Sequence, residues 1–363
     1  MNHKTQLFSW KKIIDNQVFK PLVALAIILV FDAIFIPGFF HLEMKEGHLY
    51  GSLIDILRNA APIIILAFGM TLVIATGGID LSVGATMAIA SSVACILINP
   101  TIIGLRLSQN ITSLVNNPNF SYIPIWLVVL AALFVGALCG LWNGLLVSYG
   151  NIQPMVATLI LMIAGRGIAQ LITNAIKIII FNDTFAYIGN GWIILPFSLF
   201  IVAFVFGVTW LITRKTSIGL FIESVGVNAR SSFFSGVDQK KIKLFVYIFC
   251  GLCAAVAALI VSSSIRTSDA NQIGLYSELD AILAVIIGGT LMSGGRFSLL
   301  ASAIGGLVIQ ATMTSTLAFG VPASAIIAVK AVVVIIVILL YSQQAQNVFH
   351  KIGKLKKVKE PDA

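Results

Sequence analysis

The chain has 363 residues, a net charge of +9, and 58% apolar against 10% charged residues, where an ordinary soluble domain carries about 25% charged. With a mean hydropathy of +1.01, this composition excludes a water-soluble globule and makes the bilayer the solvent. The excess of Lys and Arg is read as membrane topology rather than as nucleic-acid binding.

A spanning helix needs about 20 apolar residues to satisfy its backbone across about 30 Å of hydrocarbon, so an all-α polytopic protein of about ten spans is expected. Residues 1–20, with Lys4, Lys11, Lys12 and Lys20, precede a first span at 21–40 that is too long for a signal-peptide core and lacks a small-x-small cleavage site. The second span, 56–76, runs into Gly77-Gly78-Ile79-Asp80-Leu81-Ser82-Val83-Gly84, and the third covers 82–99. This break fits an interhelical turn in which Gly77 or Gly78 ends one helix and Asp80 or Ser82 caps the next; it fits a transport path as well.

The fourth span, 123–149, carries Gly136, Gly140 and Gly144 on one face, beside Trp142 and Asn143. Such a ladder lets helix backbones approach closely. The fifth, 154–175, places Arg166 near its middle, where a lone cation costs at least about 2.5–3.5 kcal/mol on insertion scales. Arg166 therefore pins neighbouring helices through an ion pair or carbonyl bonds, or it faces an aqueous path. A sixth span, 193–213, ends at a basic polar island, 214–243.

The island reads as two short helices with a glycine between them. Leu220, Phe221, Val225, Phe233 and Phe234 stand beside Glu223 and Arg230, and phenylalanines in a hydrophilic loop suit a helix seated in a groove of another protein. Spans at 244–264, 279–292, 297–318 and 322–342 follow. Lys330 in the last span has Asp280 in the eighth as a candidate partner. The eighth runs into Gly288-Gly289-Thr290-Leu291-Met292-Ser293-Gly294-Gly295, so both breaks read Gly-Gly-x-x-x-Ser-x-Gly. Short glycine-broken segments at matching places point to a transport path.

Ten spans put both termini on one side. Sixteen basic residues, in the N-terminal segment, the island, the 343–363 tail and Arg296, then lie inside, against Lys45, Arg106, Lys177 and Arg266 outside. The positive-inside rule favours this N-in, C-in arrangement, with one membrane domain over 21–342. The four cysteines, Cys95, Cys139, Cys250 and Cys253, all fall in apolar segments and read as packing residues. No Gly-x-x-x-x-Gly-Lys-Ser/Thr segment is present to cradle a nucleotide, and the four histidines form no ligand spacing. The reading has no catalytic residue, no metal site and no cofactor in this chain.

Thr76 to Ala85, Gly140 to Gly144, Gln153 to Thr173, Gly219 to Gly236, Glu278 to Ile282 and Ile287 to Thr290 together resemble the ribose-type sugar permeases of bacterial ATP-binding-cassette importers, from about residue 52 to 342. Gln153 to Thr173 and Ala270 to Gly289 are most similar to the permease subunit of the galactofuranose importers. Ser224 stands where that family usually has alanine, and Leu291 where it usually has serine.

The resemblance implies a bacterial inner-membrane subunit working with a second permease, as a heterodimer in the galactofuranose systems. It also implies cytoplasmic ATP-binding subunits that use ATP and Mg, and a periplasmic sugar-binding protein. The island would be the coupling loop, with Gly219, Glu223, Gly226, Asn228, Arg230 and Gly236 as its residues. Asp80, Ser82, Asn143, Arg166 and Asp280 are candidates for the translocation path, and Asp269, Asn271 and Glu278 for its outer mouth.

A second class of function is a proton- or sodium-coupled secondary sugar carrier, with Asp32, Asp80 or Asp280 and Arg166 titrating. Uptake into vesicles separates the two, since a carrier follows the ion gradient and ignores trapped ATP. A membrane-embedded transferase lacks any clustered acid, base or metal-ligand set.

Overall fold

The computed structural model describes residues 17–45, 47–99, 123–322, 325–332 and 335. Most of the 1–20 segment and all of the 343–363 tail lie outside the described residues. The described chain is helical apart from two small antiparallel pairs, β1 (Glu43–Lys45) with β2 (His48–Tyr50) and β3 (Ile178–Ile179) with β4 (Thr267–Ser268). Among the described residues, six helices are long and apolar enough to cross a membrane.

Helix α1 (Phe19–Phe35) ends five residues before the expected limit of the first span. Pro37 is the reason: the residue before a proline is pushed out of the helical region, and Ile36 is extended. Helices α2 (Ser52–Ala75), α3 (Val83–Ile98), α4 (Ile125–Ser148) and α5 (Pro154–Thr173) match the expected spans within a few residues. A short α6 (Asp183–Asn190) comes next, started by Asn182, whose Oδ1 accepts from Phe185 N. Sequence periodicity gave no sign of this eight-residue helix.

Helix α7 (Phe197–Trp210) continues through a π turn, Leu211–Lys215, into the island helices α8 (Ser217–Val227) and α9 (Ala229–Phe234). Helix α10 (Gln239–Ser264) starts inside the island, capped by Asp238, and crosses the whole bundle. Helix α11 (Ser277–Ile287) has 11 residues, about 16 Å at 1.5 Å per residue, and α12 (Leu299–Ala318) follows a non-helical return. The eighth segment, expected at 279–292, is thus shorter at its C-terminal end. The last expected span, 322–342, is described as helix at 325–332 and 335.

The glycine ladder of α4 joins it to α10. A Cβ at Gly136 would come 2.5 Å from Gly251 O, one at Gly144 2.8 Å from Leu244 Cδ1, and one at Gly140 would meet Tyr247 O. In lipid the gain from such packing is dispersion between backbones, because apolar side chains lose nothing by facing acyl chains. Helix α2 packs on α10 in the same way, with Gly69 against Cys250 and Cys253. Three of the four cysteines are buried in this interior, and Cys139 is half-buried.

Both glycine breaks begin as the same helix ending. Gly77 N bonds Ile74 O and Gly78 N bonds Val73 O; Gly289 N bonds Ile286 O and Thr290 N bonds Val285 O. This is the Schellman pattern, which needs a left-handed residue just past the helix, here Gly77 at φ +79° and Gly289 at φ +79°. The equivalent glycine is the first of its pair in one break and the second in the other. The textual match between the breaks is therefore one residue out of structural register. Ser82 sits at the start of α3, whereas α12 is capped by Ser298 rather than Ser293.

Two polar contacts tie helices inside the apolar bundle. Ser315 Oγ donates to buried Asp32 Oδ2 at 2.6 Å, joining α12 to α1. Lys330 Nζ meets Asp280 Oδ1 at 2.8 Å and Oδ2 at 2.9 Å, both side chains about one-seventh exposed. The expected pair forms and fixes the last helical segment to α11. Lys330→Met leaves Asp280 unpaired and should cost about 3–5 kcal/mol. Thermal unfolding in detergent, followed by tryptophan fluorescence, checks this, and the double variant Lys330→Met/Asp280→Leu should recover most of the loss.

Candidate functional site

The island is joined to the membrane helices through backbone. Gly226, in the last turn of α8, lies so close to α2 that an added Cβ would fall inside Ala75 O and 2.5 Å from Gly295 N. Gly295 N itself donates to Ala75 O at 2.9 Å. Gly294, at φ +88°, is packed between Gly77 N, Ala75 O and Gly226 O, each within 3.0 Å of its would-be Cβ. The end of α2, the island and the segment leading to α12 therefore form one knot, and only glycine fits at its centre.

Other island contacts brace the knot. An added Cβ at Gly219 would strike Thr213 O of the π turn, and the Arg214 guanidinium lies 6.0 Å from the Phe297 ring centre, within cation–π range. Asn228, extended between the two helices, caps α9 by accepting from Ser231 N at 3.0 Å. The expected glycine between the island helices is thus Asn228, and Gly226 belongs inside α8. An asparagine serves there because its side chain supplies the acceptor that the first turn of α9 lacks. Gly236, at φ +85°, follows α9.

At the end of the island, Asp238 Oδ1 accepts from Lys240 N at 3.0 Å and from Lys241 N at 3.4 Å. Slight desolvation is outweighed there by the Lys241 and Lys240 N–H groups and the Lys241 ammonium, which hold the carboxyl below its usual range. A lowered carboxyl favours the folded state above its unfolded pKa, and the benefit fades as pH falls through the folded value.

Of the island's apolar residues, Leu220, Phe233 and Phe234 are exposed, whereas Val225 is buried against the protein itself and Phe221 is half-buried. A groove of about 540 Å³ runs between α8 and α9, with Glu223, Val227, Ser231 and Arg296 in its wall. Arg230 is exposed beside it.

Directly inward from the knot lies a closed polar cluster. Asp80 Oδ1 accepts from Ser82 N at 2.9 Å and Ser82 Oγ at 2.7 Å, and Asn143 Nδ2 donates to Ser82 Oγ at 2.6 Å and Asp80 Oδ1 at 3.4 Å. Asp80, Ser82 and Asn143 are all at most 1% exposed. Asp80 holds the turn rather than a helical N–H, and Asn143 anchors that turn to α4. The hydroxyl of buried Tyr247, which an added Cβ at Gly78 would approach to 2.7 Å, faces the same break. Tyr247 carried no sequence signal, since one tyrosine in an apolar run is ordinary.

Arg166 lies elsewhere. Its Nη1 donates to Ala270 O at 3.0 Å and Ile273 O at 2.6 Å, satisfying carbonyls of the non-helical segment between β4 and α11. That segment lies against Gly84 and Met87 of α3, and backbone of this kind is tolerated among spans only where protein satisfies it or it lines a cavity. Here both hold. A cavity of about 350 Å³ is lined by Arg166, Asn271, Tyr276 and Glu278, so the candidate path arginine shares one space with two outer-mouth candidates. Asp269, the third, is half-exposed and turns the chain by accepting from Asn271 N at 2.9 Å. Asp280 faces away, toward Lys330.

A bundle of apolar helices with a polar segment knotted to its helix ends, and a polar cavity between helices, defines a multi-pass membrane transport subunit. The comparisons make the class specific: residues 52–341 match the family described as branched-chain amino acid transport system / permease component, and the chain belongs to it. It is 47% identical to the galactofuranose transporter permease protein of Escherichia coli (strain K12), covering 89% of each chain. It is 35% identical to a fructose import permease protein of Bifidobacterium longum (93% and 91% covered) and 32% identical to the ribose import permease protein of Haemophilus influenzae (85% and 87%). No solved structure matches. The chain is a multi-pass inner-membrane permease component.

Asn143→Ala removes the amide that anchors the Asp80 turn to α4. It should destabilise the chain by about 1–3 kcal/mol, the cost of leaving buried polar groups unsatisfied, read as a fall in unfolding midpoint in detergent.

Proposed function

We propose that this chain is the membrane-spanning permease of a sugar importer driven by ATP hydrolysis in separate cytoplasmic subunits. Its substrate is a monosaccharide, with galactofuranose favoured by the 47% identity to a permease named for that sugar. The observation that carries the coupling mechanism is the knot at Gly226, which leaves no slack between α8, the end of α2 and the segment leading to α12. An ATP-binding subunit seated on Leu220, Phe233, Phe234 and the Glu223 groove would move α8, and the two glycine breaks would follow. Such a rigid-body shift about an interface is one route to alternating access.

Ten spans with both termini inside agree with the basic residues of the island, the ends and Arg296. A second permease subunit is favoured by the cavity's surroundings. Arg166 and Glu278 line it beside Ile163, which is 68% exposed, and charged groups opening onto lipid are costly. Another permease, a paralogue in a heterodimer, would cover that face. A periplasmic sugar-binding protein would deliver the solute from the side of β1, β2 and α6. ATP and Mg would be used by the partner, with no cofactor in this chain.

Gly226→Val should abolish sugar uptake and sugar-stimulated ATP hydrolysis while the chain still inserts and reaches normal levels in the membrane. The measurement is uptake of labelled sugar with phosphate release in vesicles containing the whole importer. Normal stimulated hydrolysis in the variant would refute the coupling role of α8.

A further inference from the structure

The cavity around Arg166 has the composition of a recognition site rather than of a smooth passage. Its volume, about 350 Å³, lies within the range of small-molecule sites. Glu278 is 6% exposed, and among the described residues it makes no ion pair within 4 Å with Arg166, although both line the same space. A guanidinium has five N–H donors, and the two described bonds of Arg166 both leave from Nη1. Donors and acceptors therefore converge on one cavity with capacity in hand.

Two backbone features keep the carboxylate there. Gly84 is the last residue of the first glycine break, and a Cβ at that position would collide with Glu278 Oε2 and Gly274 O. The carboxylate occupies the place where any other residue would have a side chain. Tyr276, just before α11, has φ +63° and is 48% exposed at the cavity wall. Left-handed backbone is uncommon for a bulky residue, and such conformations gather at ligand-holding segments. Beside it, Gln170 Nε2 donates to Asn271 Oδ1 at 2.6 Å.

We propose that this cavity binds the transported monosaccharide directly, so that the permease itself recognises the solute. Glu278 accepts from neighbouring hydroxyls, Arg166 donates to a ring or hydroxyl oxygen, and the Tyr276 ring packs on a C–H face of the sugar. The chemistry fits a neutral, polyhydroxylated ring. The proposal rests on the sugar-importer reading.

The test places a thiol in the cavity wall, Leu275→Cys, and follows its maleimide labelling in membrane vesicles carrying the whole importer without nucleotide. D-Galactose, D-ribose, D-fructose and L-leucine are added separately at high concentration. At least one sugar should slow labelling about fivefold, as occupancy of about 80% requires, and leucine should not. Glu278→Gln and Tyr276→Ala in this background should remove the protection, while Tyr276→Phe, which keeps the ring, should retain it. Equal labelling with every compound, or protection that survives both Glu278→Gln and Tyr276→Ala, overturns the site. Protection by leucine alone would overturn the sugar reading instead.

Discussion

One carbonyl oxygen, that of Ala75, organises the end of the bundle nearest the island. It accepts the N–H of Gly295 and touches the α-carbon surface of Gly226. Three chain segments far apart in sequence thereby share one backbone contact. Side-chain contacts can slip between rotamers, but a contact between peptide groups moves only when the helices move. That stiffness is what a device converting a push on a polar loop into motion of membrane helices requires. Close-packed interfaces of this kind switch between discrete arrangements rather than deforming continuously.

The bilayer accounts for much of the remaining design. With no water to satisfy them, three carboxylates inside the bundle take protein partners: Asp280 has Lys330, Asp32 has Ser315, and Asp80 has Ser82 and Asn143. Arg166 stabilises a stretch of irregular backbone that lipid would not tolerate. The short α11 follows from this arrangement. Residues 269–276 form the irregular segment, and a full-length helix is replaced by a half-helix with a polar cavity at its start. The closed cluster at Asp80 and the open cavity at Glu278 both adjoin the start of α3, where Ser82 belongs to the cluster and Gly84 meets the Glu278 carboxylate.

Much of this was legible in the sequence because lipid imposes a simple rule. Twenty apolar residues in a row can do little but cross, so the spans from 56 to 264 and at 297–318 were placed within a few residues, apart from the α10 start inside the island. The Gly136, Gly140 and Gly144 ladder and the Lys330 pair followed from equally local physics. What failed to show were facts of three-dimensional meeting. Gly77, Gly226 and Gly294 look like separate turn residues, and nothing in their spacing says that they touch. The repeated Gly-Gly-x-x-x-Ser-x-Gly text suggested equivalence, but only the helix endings are alike, with their left-handed glycine and paired N–H bonds, and they match one residue out of register. Val225 looked like a docking knob and is interior, because only about half a turn of helix separates an outward face from an inward one. Tyr276 and Ala85 gave no sign of a common cavity, since the cavity exists only when the start of α11 lies beside α3 and α5.

The central claim is that the island and the glycine breaks move as one body. Spin labels at Ser231 on α9 and Leu291 in the second break, both exposed, measure this by pulsed dipolar spectroscopy in the whole importer. Their separation should remain constant between nucleotide-free and ATP-bound states, while the distance from Ser231 to a label at Ile194 near α6 changes. A Ser231 to Leu291 distance that shifts on ATP binding while the Ile194 distance stays fixed would contradict the account.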